Sequence, residues 1–587
     1  MRARETMAGA PFEAASTAFA AAAGRPWLAG YPADIDWAAE IPVAPLNRLL
    51  NDAVARFPER PCIDFLDRKF TYAEIGGLVD RAAKGLAELG VRPGAKVGLF
   101  LPNCPYFVVF YYAVLKAGGT VVNYNPLYAE REVVRQIEDS DTEIMVTLDL
   151  AVLYDKLAAA AGQTRLRRIV VCRMADILPF PRNWLFPLAM YRQIAAPRRD
   201  GRWVDFRDLV ANDGVFSAVP VDPAQAIALL QYTGGTTGTP KAAMLTHANV
   251  YANAVQCATW FTGAVAGQER MLGVLPLFHA FAMTAVMNWS LRLGAEMILM
   301  PRFHLARLLR AIHRKRPTTM TGVPTLFAAI ANHPKLDRYD LSSLRFCVSG
   351  GAPLPAELRD RFERLTGCRL VEGYGLSECS PVIACNPLEG GGKPGAVGLP
   401  YPRTTIEILS PEPPRRPLPV GERGEVCIAG PQVMAGYWKR PEETAATIID
   451  GRLHTGDVGY LDADGYLFVT DRLKEMISVG GFKVYPRMVE EAIYLHPSVA
   501  ECAVIGLPDP YRGETVKAFV APQAGKVLTE SELTDFLADK LSPIEMPRLI
   551  EFRAELPKTA IGKIEKKALR AEETARRPTA TQGSAEP

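Results

Sequence analysis

Leu46, Leu49, Leu50, Ala53, Val54 and Phe57 recur at i, i+3, i+4, i+7, i+8 and i+11, which is one face of an amphipathic helix. A second helix is announced by its start. Thr71 and Glu74 have capping-box spacing, the apolar stripe Ile75, Val79, Ala82, Leu86 follows, and Gly90 with Pro93-Gly94 stops it. The pattern then alternates: strand 97–101, helix 106–117, strand 120–123, helix 129–139, strand 143–147 and another apolar run at 169–172. Apolar strands separated by helices predict a parallel sheet with helices on its faces. From about 398 the texture changes to short β-rich pieces, 405–409 and 424–428, split by Pro and Gly, which predicts a small barrel-like unit. After Asp471, strands at 503–505, 518–520 and 549–552 around a helix at 530–540 predict a compact α+β domain. The expected fold is therefore α/β. A large N-terminal domain of parallel αβ-layered sheets (31–471) carries a β-rich subdomain (398–470), and a small α+β C-terminal domain (472–570) follows. Residues 1–30 read as an N-terminal extension and 571–587 as a disordered polar tail.

Composition narrows the function classes. With 49% hydrophobic and 22% charged residues over 587 positions, the bulk of the chain is globular. The 67 Lys+Arg nearly balance 64 Asp+Glu, leaving a net charge of +3, so no general attraction to nucleic acid is expected and any anion must be held by a local site. Ten cysteines between Cys62 and Cys502 form no C-x-x-C pair and no zinc spacing, which fits reduced thiols in a cytosolic protein. Arg2 and Arg4 precede an Ala-rich stretch interrupted by Glu5 and Glu13, a poor signal sequence. Apolar runs such as 106–115 stop well short of the roughly twenty residues that span a bilayer, so no transmembrane helix is expected.

The strongest local signal is Gln231-Tyr-Thr-Gly-Gly-Thr-Thr-Gly-Thr-Pro-Lys241, placed after the apolar run 226–230. Gly234, Gly235 and Gly238 let the backbone turn its N–H groups towards phosphate oxygens, Thr233, Thr236 and Thr237 add hydroxyl donors, and Lys241 adds charge. A P-loop needs Lys directly after the last Gly, and here Thr239-Pro240 intervene, so this is a phosphate cradle of another kind. A flexible Gly/Thr surface loop would share the composition but not the Pro-Lys ending.

This segment resembles the signature of the adenylate-forming superfamily of acyl-CoA synthetases, luciferases and peptide-synthetase adenylation domains. Five more motifs agree in order: Ser349-Gly-Gly351-Ala352-Pro353, Tyr374-Gly375-Leu-Ser377-Glu378, His454-Thr-Gly-Asp457, Asp471-Arg472-Leu-Lys474 with Gly480-Gly481, and Pro557-Lys-Thr-Ala-Ile-Gly-Lys563. The likeness covers about 31–570 and is nearest to bacterial long-chain fatty acyl-CoA synthetases, as Tyr31-Pro-Ala-Asp34 and Leu275-Pro-Leu-Phe-His279 suggest.

The resemblance implies an ATP-dependent, AMP-forming ligase that activates a long-chain fatty acid through an acyl-adenylate and passes it to coenzyme A. Attack of a carboxylate on the α-phosphorus of ATP needs its charge neutralised by a metal, a lysine and donor-rich loops. On the family pattern Glu378 would hold Mg²⁺, Ser377 would touch the α-phosphate, and Gly351, Ala352 and Pro353 would line the adenine pocket with Tyr374 stacked on the base. Asp457 and Arg472 would fix the ribose, and Lys563 would bridge acyl carboxylate and α-phosphate. Lys474 would be the pivot of a mobile, hinged C-terminal domain, and Gly480 and Gly481 would give the pantetheine arm a close path. Read singly, Glu378, Asp457 and Lys563 are also a helix-start carboxylate, a turn residue and one charge of a solvated run. His279 reads either as a group that positions the acyl chain or as a hydrogen-bonded core histidine. The stretches 281–289 and 321–327 read as acyl-tunnel wall, with Gly322 leaving room, or as core. Two other outcomes stay open: an acyl-AMP ligase loading a carrier protein, and a non-catalytic nucleotide sensor.

Two segments stand apart. Ile544-Glu545-Met546-Pro547 carries a carboxylate where the family has a cation, which implies altered CoA contacts or a regulatory surface. Leu178–Trp203 sets Trp184, Leu185, Phe186, Leu188, Met190 and Tyr191 among five arginines. It reads as a loop packed on the body, which its prolines favour, or as a peripheral contact with the inner face of a membrane. A homodimer is compatible with the sequence, which does not set the oligomeric state.

Overall fold

The computed structural model describes residues 24–196, 201–233, 240–390, 392–480, 482–509, 511–523, 525–559 and 562–576. The chain forms two compact units: Met1–Glu407 with Cys427–Thr455 and Asp462–Leu467, and Ile408–Val426 with Gly456–Leu461 and Phe468–Pro587.

The first unit is built on two mixed sheets whose central strands are parallel. One runs Leu399–Pro400, Val382–Cys385, Arg369–Gly375, Phe346–Gly350, Thr319–Gly322, Arg270–Gly273, Glu296–Leu299, Pro61–Phe65, Arg68–Thr71. The other runs Gly436–Tyr437, Lys241–Thr246, Ile227–Thr233, Thr120–Asn123, Lys96–Leu99, Ile144–Leu148, Arg168–Cys172, Trp203–Asp205. Helices cover the strands, so Thr120–Asn123 and Ile144–Leu148 are buried at every position. That double burial produces continuous apolar runs rather than alternation. The helix Pro105–Lys116 is buried from Pro105 to Leu115, which accounts for its lack of a polar face. Its neighbour Tyr72–Glu88 starts as expected, with the Glu74 N–H donating to Thr71 Oγ1 at 3.1 Å and the Thr71 N–H to Glu74 Oε2 at 2.7 Å.

In the second unit the strands after Asp471 are longer than their sequence cores. Val499–Asp509 pairs antiparallel with Gly513–Pro522, Leu549–Phe552 adds a parallel edge, and Phe482–Val484 and Ile477–Val479 complete the sheet. A capping box at Thr529 opens the helix Glu530–Leu537 against this sheet.

Both chain ends depart from expectation. Trp27 is 1% exposed, its ring 6.2 Å from Trp37, and the Arg25 guanidinium lies 4.3 Å over Trp37. The segment Pro26–Gly30 is therefore part of the body and not an extension. Residues 571–576 belong to the helix Lys566–Arg576 rather than to a disordered tail, because Leu569 is fully buried and Glu573 receives Lys517 at 2.9 Å. Residues 1–23 and 577–587 lie outside the described residues. Among the described residues no helix is long and apolar enough to cross a membrane.

Candidate active site

The expected site residues fall on both units, and each group has its own geometry. In the first unit, Ile227–Thr233 and Lys241–Thr246 form an antiparallel hairpin closed by Thr233 opposite Lys241, with Thr233 Oγ1 donating to the Lys241 carbonyl at 3.3 Å. Gly234, Gly235, Thr236, Thr237 and Gly238 lie outside the described residues. The strand Gly436–Tyr437 pairs next to Lys241–Thr246, with Tyr437 opposite Ala243, which carries the Tyr437 ring to 5.2 Å from the Lys241 ammonium. The Tyr437 hydroxyl donates to Glu378 Oε1 at 2.9 Å. Burial and the Glu378 carboxylate hold that phenol protonated, well above its ordinary range. Thr233, Lys241, Glu378 and Tyr437 therefore form a chain of neighbours. Tyr437 was not foreseen: it stands 59 residues from Glu378 with no motif to mark it.

Glu378 is placed by a turn at a strand end. Strand Arg369–Gly375 delivers Tyr374 and Gly375, a 3-10 turn over Ser377–Cys379 follows, and the Leu376 N–H donates to the Pro381 carbonyl at 2.9 Å. A Cβ on Gly375 would collide with that same carbonyl, so the turn needs glycine there. In the register Gly350 faces Gly373, which brings the loop of Gly351, Ala352 and Pro353 beside Tyr374 at adjacent ends of parallel strands. Ligands of open α/β sheets bind at such strand ends. The Ser349 hydroxyl is buried there with no hydrogen-bond partner among the described residues.

His279 is half-buried and its Nδ1 accepts the Phe281 N–H at 3.2 Å, capping the start of Ala280–Ala282. A π-helix, Met283–Asn288, continues from it, and Thr284 Oγ1 donates to the Ser380 carbonyl at 2.6 Å, two residues beyond Glu378. Such bulges are frequent at functional sites. Gly322 leaves no open room, since a Cβ there would meet Leu326 Cδ2 at 2.7 Å and Phe327 at 2.8 Å. The core-packing alternative holds at that position.

In the second unit, Asp457 and Arg472 pair on neighbouring strands, Arg472 Nε to Asp457 Oδ1 at 3.0 Å, with the Leu473 N–H donating to the Gly456 carbonyl at 2.8 Å. Asp457 is buried and Arg472 exposed. Lys563 belongs to the same charge cluster. Its turn is closed by the Thr559 N–H on the Lys563 carbonyl at 2.7 Å and the Lys563 N–H on Thr559 Oγ1 at 3.2 Å. Burial first, then the positive charge of Arg472, push the Lys563 amine down to about 8, with Asp457 opposing. Lys566 pairs with Glu490 Oε1 at 2.8 Å and Glu475 Oε2 at 3.3 Å, so this lysine is an anchor within the unit rather than a solvated charge. Lys474 is exposed in a turn in which the Glu475 and Met476 N–H groups both donate to the Arg472 carbonyl. Gly480 has a φ of +58° and donates to the Arg512 carbonyl at 2.7 Å. Gly481 lies outside the described residues. Glu545 is used structurally, its Oε2 accepting from the Ser542 N–H at 3.0 Å and hydroxyl at 2.7 Å.

All ten cysteines are buried and none is in a disulfide. Desolvation raises the Cys104 thiol to about 12, far from a nucleophile's range.

The AMP-binding enzyme model matches residues 50–438 and the AMP-binding enzyme C-terminal domain model matches 488–563. The chain belongs to the AMP-binding enzyme family. Among curated members, a Bacillus subtilis protein named long-chain-fatty-acid–CoA ligase is 44% identical over 562 residues, covering 94% of this chain and 98% of the relative. An Escherichia coli protein of the same name is 36% identical over 93% of this chain and 98% of its own. Solved members of the same fold include ATP-bound MatB from Rhodopseudomonas palustris, 28% identical with a TM-score of 0.79 over 90% of this chain and 99% of that one. A Mycobacterium tuberculosis fatty acyl CoA synthetase is 27% identical with a TM-score of 0.69 over 91% and 99%.

Proposed function

We propose that this AMP-binding enzyme is a long-chain fatty acid–CoA ligase. The acid's carboxylate attacks the α-phosphorus of ATP to give acyl-adenylate and pyrophosphate, and the CoA thiol then displaces AMP to give the thioester. The observation that carries the reading is the near-complete match to the Bacillus subtilis ligase, 44% identical over 94% of this chain, which itself carries Lys241, Glu378, Asp457, Arg472 and Lys563.

The residues supply complementary charge. Lys241 and the hydroxyls of the 233–241 loop hold the phosphates. Tyr374 and the Gly351–Pro353 loop flank the adenine, and Asp457, oriented by Arg472, accepts from the ribose hydroxyls. Lys563 donates to the acyl carboxylate and the α-phosphate as negative charge builds between them. An amine lowered to about 8 is still cationic at neutral pH but weakly solvated, which suits this task. Lys474 serves as the pivot that takes Lys563 out of the reaction between the two steps.

Mg²⁺ fits the residues present. Glu378 is a hard oxygen donor with Oε1 fixed by Tyr437, and one carboxylate plus nucleotide phosphates is a usual Mg²⁺ donor set. When bound, the ion would neutralise phosphate charge. Supporting the proposal requires acid-dependent AMP release with long-chain acids, and release that does not depend on a fatty acid would refute it.

A further inference from the structure

The helix Arg182–Ala189 buries none of its residues, although its sequence is Arg-Asn-Trp-Leu-Phe-Pro-Leu-Ala. Trp184 is 74% exposed and Leu188 69%, and Phe180 and Tyr191 on either side are more than half exposed. A helix this apolar normally draws its stability from burying a face. Beneath it lies a cavity of about 580 Å³ lined by Asn183, Trp184 and Pro187 of the helix, with Arg173, Asp176, Asp205 and Arg207 among its lining from the body. Those four charges are already matched, Arg173 Nε to Asp205 at 3.0 Å and Arg207 Nε to Asp176 at 2.8 Å. The charges of the floor are thus paired with one another, and although Trp184 borders the cavity, Trp184, Leu185 and Leu188 stay about half exposed or more.

We propose that 180–192 is an interfacial anchor whose occupant is the surface of an anionic lipid bilayer. Three features favour lipid over another protein or a second copy. Trp184 and Tyr191 are the residue types that settle at a headgroup boundary, with Phe180, Leu185 and Leu188 as the inserting groups. The charge is complementary: in sequence Leu178–Trp203 has five arginines against one aspartate, of which Arg198, Arg199 and Asp200 lie outside the described residues, and exposed Arg192 lies 5.4 Å over the Tyr191 ring with its Nε on the Tyr191 hydroxyl at 2.8 Å. Arg182 pairs with Asp67, tying one end of the helix to the body while Leu185 and Leu188 stay exposed. The anchor deepens the proposed function, because a long-chain acid partitions into bilayers, but it is measured apart from turnover.

The test is co-sedimentation of the full chain with vesicles of phosphatidylglycerol or of phosphatidylcholine, for wild type, for W184S/L185S/L188S and for Arg192→Glu. The proposal expects wild type to bind phosphatidylglycerol vesicles, less so in high salt. It expects the triple variant to bind at least about tenfold more weakly and Arg192→Glu to lose the preference for the anionic lipid. All substituted positions are exposed, so melting curves and turnover of a short, water-soluble acid should match wild type. Equal partitioning of wild type and triple variant overturns the anchor, as does wild type that binds neither vesicle. A triple variant that changes from dimer to monomer without any vesicle binding assigns the face to a second copy and overturns it too. Loss of ligase activity with intact vesicle binding would count against the proposed function alone.

Discussion

At the scale of single residues, the charge on Lys563 is the quantity that the chemistry depends on. Its amine is depressed to about 8 by burial and by Arg472, so it is protonated below that pH and neutral above it. Acid-dependent pyrophosphate exchange by the free enzyme should therefore fall as pH rises through about 8. Arg472→Gln removes a repelling charge and should move that fall to higher pH even though turnover drops. A fall that stays at the same pH in the variant would mean that another group titrates. Lys563→Ala should reduce adenylation about a hundredfold or more while conversion of preformed acyl-adenylate to thioester continues. Equal loss of both half-reactions would remove the step-specific role.

At the scale of elements, the turn after Arg369–Gly375 sets where Glu378 stands. Gly375→Ala drives a Cβ into the Pro381 carbonyl, and a backbone obstruction of that kind costs about 1–3 kcal/mol. A lowered melting temperature together with a raised Mg²⁺ requirement is expected. Unchanged values would show that the turn relaxes freely. The helix His247–Trp260 carries a different signature. The His247 ring is buried, its Nδ1 accepts the Leu46 N–H at 3.1 Å, and desolvation lowers it from 6.5 to about 4. The unfolded ring gains a proton below about 6.5 and the folded ring resists to about 4. Stability is thus complete above 6.5 and is lost as pH falls towards 4, by about 3 kcal/mol for a shift of this size. His247→Gln keeps an acceptor for Leu46 and should lose less stability than wild type between pH 7 and 5 in urea unfolding; equal losses would contradict this.

Elements of this kind differ in how far the sequence reveals them. Thr71–Glu74 is legible because a capping box is a local rule, and the buried strands are legible because burial on both faces leaves continuous apolar runs. The full lengths of Val499–Asp509 and Gly513–Pro522 are not, since their polar ends are held by pairing with each other rather than by pattern. Tyr437 beside Glu378, and Lys566 beside Glu490 and Glu475, come from contacts across long stretches of chain. Motif spacing carries no trace of them.

At the scale of the whole molecule, Lys241, Tyr374 and Glu378 sit on one unit, and Asp457, Arg472 and Lys563 on the other. The proposal gives the units successive tasks with Lys474 as the pivot. Proline fixes φ near −65°, so Lys474→Pro should preserve acid-dependent pyrophosphate exchange and collapse thioester formation. Proportional loss of both in a folded variant would sink the pivot. The most direct measurement of the central claim is AMP release by the full chain with ATP and Mg²⁺ across short, medium, long and aryl acids, with and without CoA. Release should rise with chain length, need the acid, and yield acyl-CoA in equal amount when CoA is present. Release with no acid dependence, or acyl-adenylate that CoA leaves untouched, would contradict it.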